Sequence, residues 1–175
     1  TTRMVGTTKK IGRNGKMGLD MYLTGDKFKR TEYAKDSNGE ILRDEDGGII
    51  SVNEDTVDGY RRSSQKLEVG YWRKHAPLHN FIVEQFANGE DNCRPIQLNV
   101  EQLRWIAKVL RGENENYGLP SNEDVIRGAF FGDEEWWDEL RENAHEDAEI
   151  FDKAADWVES EGENFWHSVE YQASW

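Results

Sequence analysis

Apolar and polar residues alternate along 18–25, "GLDMYLTG". Leu19, Met21 and Leu23 fall on one face and Asp20 and Tyr22 on the other, the period of a half-buried strand. From 26 to 66 the chain turns polar. Turn signals at "DSNGE" and "DEDGG" flank the short apolar pairs "IL" and "II", which predicts one or two hairpins projecting from the core. "DEDGGIISVNE" glances at a calcium loop. Neither glycine register puts an acid at both ends of such a loop, so a hairpin turn is the better reading. "KLEVGYW" at 66–72 predicts a second strand with Leu67, Val69 and Tyr71 on one face.

Helical spacing follows. Pro77 suits a first helical turn, where its missing N–H costs nothing. Leu78, Phe81, Ile82 and Phe86 form the apolar stripe, and Asn88-Gly89 ends it. "RPIQL" at 94–98 predicts a short strand. Asn99 then caps a helix, with Gln102 as its capping-box partner and Leu103, Ile106, Ala107 and Leu110 as its stripe. Residues 112–124 predict a polar loop and "GAFFG" at 128–132 a short buried strand. A long helix is expected from Asp133 to about Glu159, with a seam of Trp137, Leu140, Ala144, Ala148, Phe151, Ala155 and Val158. "NFWHSVEYQASW" closes the chain as an alternating strand. No internal repeat is expected. The fold class is therefore α+β. A small, mostly antiparallel sheet is packed by two short helices and one long acidic C-terminal helix. The expected organisation is a basic arm over 1–16 and a single domain over 17–175, with a polar hairpin insertion at about 26–66.

Composition adjusts this picture. A mean hydropathy of −0.90 and 33% charged residues lean towards disorder. Seven tryptophans and 11% aromatic residues supply the apolar area for a core, and 175 residues suffice to bury one. The net charge of −13 argues against gripping nucleic acid or an anionic membrane through bulk electrostatics. It is unevenly spread. Residues 1–16 carry Arg3, Lys9, Lys10, Arg13 and Lys16 and no acid, whereas 133–163 carry fourteen acids and two bases. The arm has almost nothing to bury, so it is expected to settle only against another molecule, with an acidic surface as the natural dock. A protein partner or a second copy is the partner this implies. The acidic helix is either a solvated face or such a dock. The lone Cys93 excludes an internal disulfide framework and a Cys-based zinc site, and fits a reducing compartment. No apolar run is long enough to span a bilayer, and the N-terminal segment lacks the apolar stretch of a secretory signal. The expected location is the bacterial cytoplasm or a virion.

The candidate chemistry lies in "GYWRKHAPLHNF" at 70–81. His75 and His79 are four apart, a spacing that lets two imidazoles share a metal, but Pro77 leaves His75 ahead of the helix, so no metal site is expected. Arg73, Lys74 and His75 lead into a helix N-terminus, where free N–H groups favour an anion. With Trp72 or Tyr71 as a stacking ring, an anionic ligand such as a nucleotide would be matched, and a binder of a nucleotide signal or of a host-defence factor would use Arg73, Lys74, His79 and Trp72, with Asp20 as a further candidate. The plainer alternative pairs Arg73 with Asp20 and puts Trp72 in the core. His79 has the chemistry of a general base with Asp20 orienting it. No nucleophile motif accompanies it, and a histidine beside an apolar stripe is commonly a satisfied core residue. No catalytic residue is assigned, and no cofactor motif is present. Cys93 has Arg94 beside it and Glu90 and Asp91 opposing, so packing is the expected role.

"MGLDMYL" at 17–23, "EVGYWRKHAPLHNFIVE" at 68–84, "GAFFG" at 128–132 and the terminal "YQASW" occur in this order. Together they resemble a family of small uncharacterised proteins of bacteriophages and bacteria, whose members begin "MGLDMYL" and carry a "YWRK…H" segment. The resemblance spans most of 17–175. It implies a phage-encoded accessory protein and brings no activity with it. Asp20, Tyr71, Trp72, Arg73, Lys74 and His79 match the pattern, whereas His75 does not belong to it. The arm ahead of Met17 is a departure that suggests an extension for assembly.

Overall fold

The computed structural model describes residues 18–52, 54–113 and 134–175, the side chains of 134–137 excepted. The basic arm, nearly all of the polar loop, "GAFFG" and Asp133 lie outside the described residues. The architecture is α+β. Four antiparallel strands form one sheet in the order β4-β1-β6-β5. They are β1 (Asp20–Lys29), β4 (Ser64–Arg73), β6 (Phe165–Ser174) and β5 (Ile96–Leu98). The strands β2 (Thr56–Val57) and β3 (Tyr60–Arg61) make a separate two-stranded hairpin.

Central β1 alternates as its sequence dictates. Met21 and Leu23 are fully buried and Tyr22 faces out. The alternation on β4 breaks. Leu23 pairs with Gly70 and Thr24 with Glu68, so Val69 is an extra residue, a β-bulge. The bulge carries Leu67, Val69 and Trp72 to the inner face and sends Tyr71 outwards. This corrects the expectation that Leu67, Val69 and Tyr71 share a face. A period-two pattern cannot reveal where an inserted residue resets it. The inner face of β6 supplies Val169, Tyr171 and Ala173, all buried.

Among the described residues, four helices accompany this sheet. α1 (Ala76–Phe86) has Pro77 in its first turn, is capped by His75, and ends where Asn88 and Gly89 take positive φ. α2 (Val100–Leu110) opens with a complete Asn99–Gln102 capping box. The expected long helix is two, α3 (Glu134–Glu142) and α4 (Ala144–Glu159). At Asn143 ψ rises to 5°, well away from helical values, and its side chain makes no capping bond. Asparagine is a poor helix former, and a stripe of apolar positions survives a one-residue break unaltered. The seam holds along α4, where Ala144, Ala148, Phe151 and Ala155 are buried against the same core as Leu78, Ile82, Leu103 and Ile106.

β1 runs to Lys29 and β4 begins at Ser64, so the insertion is shorter than expected, about 30–63. It contains a repeat that the reading above did not anticipate, "KDSNGEIL" at 35–42 followed by "RDEDGGII" at 43–50. Asp36 Oδ1 accepts from the N–H groups of Asn38 and Glu40, and Asp44 Oδ1 accepts from those of Asp46 and Gly48. Gly39 and Gly47 take φ of 83° and 85°, which side-chain-bearing residues resist. Each repeat thus makes one tight hairpin tip. The backbones close into a ring: Leu42 N–H donates to Ala34 O, Ile50 N–H to Leu42 O, and Ala34 N–H to Ile50 O. The result is a three-way junction, with residues eight apart playing equivalent parts.

Candidate functional site

The chemistry-bearing residues gather around the start of α1. Lys74 takes φ of 56° and donates its N–H to Leu19 O at 2.7 Å, which turns the chain from β4 into the helix. His75 follows and is fully buried. Its Nδ1 accepts the Leu78 N–H at 3.3 Å, so the imidazole proton sits on Nε2. That atom faces Asp147 Oδ2 at 3.5 Å, a separation that is electrostatic contact rather than a hydrogen bond; neither atom has another hydrogen-bond partner. The other oxygen of Asp147 accepts from Trp72 Nε1 at 2.8 Å. Trp72 is 5% exposed and stacks on Phe151 at 5.3 Å. An aspartate in the first turn of α4 therefore ties that helix to β4 and to the cap of α1, and the helix dipole favours its charge.

One turn further on, His79 is 1% exposed. Its Nε2 lies 3.0 Å from Asp91 Oδ2 and its Nδ1 2.7 Å from the Tyr171 hydroxyl. Nε2–H donates to the carboxylate, so Nδ1 is the acceptor and the tyrosine hydroxyl donates to it. Trp175 packs edge-on to the ring at 5.8 Å. Burial pushes the Tyr171 phenol well above its ordinary value, and the Asp91 charge adds to the shift. This carboxylate–imidazole–hydroxyl chain pins α1 to β6 and to the loop that follows it. It has the order of a proton relay, but its hydroxyl is sealed in the core and favours the protonated form.

The outer face of the sheet is a separate surface. Tyr71 donates to Asp20 Oδ1 at 2.6 Å, and Arg73 Nε lies 3.9 Å from the same oxygen. Tyr22 and Tyr71 form a tilted ring pair at 5.3 Å. Burial, then the Asp20 hydrogen bond, pushes the Tyr71 phenol up to about 12. Lys66 bridges Asp26 at 3.2 Å and Glu170 at 3.6 Å, and the Asp26 contact raises its pKa.

The candidate ligand residues Asp20, Trp72, Arg73, Lys74 and His79 thus divide. Trp72 and His79 point into the core, each towards a different carboxylate. Asp20 and Arg73 meet each other on the outer face, and Lys74 lies at the turn between. Asp20 and His79, paired in the catalytic expectation, lie against opposite faces of the sheet. His75 and His79 likewise turn to different acids, Asp147 and Asp91. Sequence reasoning missed three residues of this arrangement. Tyr171 carried a signal, because the alternation of the last strand puts it on the inner face. Asp91 and Asp147 carried none, being single acids in acid-rich stretches.

The acidic helix is also less available than its composition suggests. Arg104 on α2 clasps Asp152, Asp156 and Glu159 of α4, and Arg111 adds a 2.6 Å contact to Asp152. Hydrogen bonds to Asp156 and Glu159 raise the Arg104 pKa further. Among the described residues, no helix is long and apolar enough to cross a membrane. No protein family, curated protein or solved structure matches the chain.

Proposed function

We propose that the chain is a phage-encoded accessory protein that works by binding, in an assembly or virion-associated setting. Its basic arm, through Arg3, Lys9, Lys10, Arg13 and Lys16, engages an acidic surface of a second copy. The observation that supports this is the character of the hairpin module at 31–60. It carries nine acids and two bases, a net charge of −7. Eight of the fourteen exposed large hydrophobic side chains among the described residues also lie there, Ile41, Ile49, Val52 and Tyr60 among them. An acidic surface studded with apolar groups fits a cationic segment carrying Met4, Val5 and Ile11. The run of acids on α4 fits it less well, because α2 already neutralises much of it.

Sedimentation of the full chain and of residues 17–175 tests this. The full chain is expected to self-associate at low salt and to dissociate as salt rises, while the truncated chain stays monomeric with the same circular dichroism and melting temperature. Equal association of both chains would refute the proposal.

A second reading has a narrower basis. The exposed Tyr22–Tyr71 ring pair beside Arg73 suits a small anionic ligand carrying a ring. On that reading nucleotides raise the melting temperature of the wild type and not of Arg73→Ala, and a flat nucleotide screen rejects it.

A further inference from the structure

The inner face of the sheet runs on past its helical cover. Met21, Leu23 and Gly25 are buried on that face, and Trp157, in the last turn of α4, lies over Gly25. β1 keeps its alternation beyond this point, so Lys27 and Lys29 continue the same face past the end of α4. Gln65 pairs with Lys27, and Phe165 with Lys29. Here a hollow of about 100 Å³ opens between the sheet and the base of the β2–β3 hairpin. A smaller one, of about 10 Å³, adjoins it and shares Lys29, Asp55, Arg62 and Ser63 with it.

Among the described residues, five bases line the two hollows, Lys27, Lys29, Arg30, Arg61 and Arg62, against one acid, Asp55. That balance is the reverse of the whole chain's, whose net charge is −13. Asp55 is committed to Arg62, whose Nε donates to it at 2.8 Å and whose Nη2 lies 2.7 Å from the same oxygen. Glu161, outside the lining, lies 3.9 Å from Arg30. The other three bases make no ion pair among the described residues. Lys27 rests over the Phe165 ring at 4.3 Å. Arg61 donates to the neutral Thr31 hydroxyl at 2.9 Å. Lys29 has neither kind of contact. Ser63 and Ser64 add hydroxyls, and Phe165 with the lysine stems gives the larger hollow an apolar side.

We propose that these hollows seat a single phosphate group, free or carried on a small molecule as its monoester. A phosphate monoester bears about −1.5 to −2 charges at pH 7 and offers three acceptor oxygens. Three cations without an acid partner, and the hydroxyls beside them, match that demand. A carboxylate, with one charge, would leave most of the positive charge unanswered. Arginine and lysine are also the side chains suited to phosphate, and Asp55 fixes one guanidinium in place. The larger hollow has room for one such group and not for a run of them. A polyanion would besides lie along a strongly negative chain, whereas a small anion feels chiefly the bases within a screening length of about 8 Å. Lys29 stands about 30 Å along β1 from Asp20, so this site is separate from the Tyr22–Tyr71 pair and does not depend on the arm.

Isothermal titration calorimetry of the full chain with phenyl phosphate, inorganic phosphate, benzoate and an oligothymidylate tests this. Saturable one-site binding of phenyl phosphate is expected, with benzoate about tenfold weaker or more. Lys29→Gln should weaken phenyl phosphate about tenfold or more, and Lys29→Arg should restore most of the affinity. Arg61→Gln, at an exposed position, should weaken it likewise, and Lys153→Gln, on α4 outside the hollows, should leave it unchanged. Circular dichroism checks that each variant is folded. Tighter binding of phenyl phosphate than of inorganic phosphate assigns the site to a monoester; equal binding assigns it to the free anion. The proposal is overturned if phenyl phosphate shows no saturable binding, if benzoate binds as tightly, or if Lys29→Gln and Arg61→Gln both keep full affinity. Loss of binding in Arg73→Ala alone would place the phosphate at the other end of the sheet and overturn it. So would tighter binding of the oligothymidylate through Lys29, or self-association of the unliganded chain that Lys29→Gln abolishes, which would assign these bases to an acidic face of a second copy.

Discussion

Asp147 is the acid whose removal should cost the fold most. Its Oδ1 accepts the buried Trp72 indole N–H, and its Oδ2 faces His75 Nε2, the group that caps α1 from the other side of its ring. Asp147→Ala leaves the indole N–H without an acceptor in the core, at a cost of about 1–3 kcal/mol. It also removes the negative charge from the first turn of α4, about 0.3–1 kcal/mol, and takes away the carboxylate that His75 faces. The total is about 2–4 kcal/mol, a large share of the roughly 5–15 kcal/mol that holds a domain of this size. Asp147→Asn keeps an oxygen for the indole and should cost about half as much. Urea unfolding followed by circular dichroism gives both values. Trp72→Phe removes the donor while keeping a ring against Phe151, so Asp147→Ala should cost less in that background, by about 1 kcal/mol. A cost below about 0.5 kcal/mol for Asp147→Ala, or strict additivity in the double mutant, refutes the assignment.

Other outcomes follow from the same geometry. Tyr171→Phe removes the hydroxyl that donates to His79 and should destabilise by about 1–2 kcal/mol, measured by urea titration, with His79→Ala costing more because it also strands Asp91. The Tyr71 phenol titrates at about 12 in the folded chain against 10.0 for an ordinary tyrosine, so the native state keeps a proton that the unfolded chain releases. Stability should therefore fall as pH rises between those two values, and Tyr71→Phe should flatten part of that fall in urea midpoints taken above pH 10. Arg104→Ala should lower the melting temperature at low salt, and the difference should close in about 1 M salt, where the screening length is about 3 Å. Gly70→Val should destabilise by about 1–3 kcal/mol or more, because even a Cβ there would lie 2.7 Å from the Trp72 ring and 3.1 Å from Ile150.

The parts of the fold legible in the sequence are those that one period or one local motif decides. The alternation of β1, the Pro77 turn of α1 and the Asn99–Gln102 box each depend on residues within a turn or two, and each occurs where the pattern puts it. The bulge at Val69 depends on how β4 registers against β1, 45 residues away in sequence, so the face of Tyr71 was misread. The break at Asn143 was hidden because an apolar seam keeps its phase across it. The eight-residue repeat was overlooked for a different reason. Its identities are turn residues and a pair of aliphatics, which read singly as ordinary hairpin signals. The candidate site was half visible. Both histidines stand out in "GYWRKHAPLHNF", but the carboxylates that fix their roles come from 12 and 72 positions further on, Asp91 and Asp147. No spacing rule joins such pairs. Only the tertiary fold, which brings the start of α1 to β6, to the first turn of α4 and to Asp91, does.

The proposed contact between the cationic arm of one copy and the acidic hairpin module of another is open to a direct chemical test. Zero-length carbodiimide coupling joins lysine amines to carboxylates in direct contact, and mixing unlabelled with nitrogen-15-labelled full-length chains separates links between copies from links within one. Mixed-label products that join Lys9, Lys10 or Lys16 to acids within 31–60 are expected, and are expected to be lost at high salt. Coupling of those lysines only within their own chain, or only to acids outside the module, would contradict it.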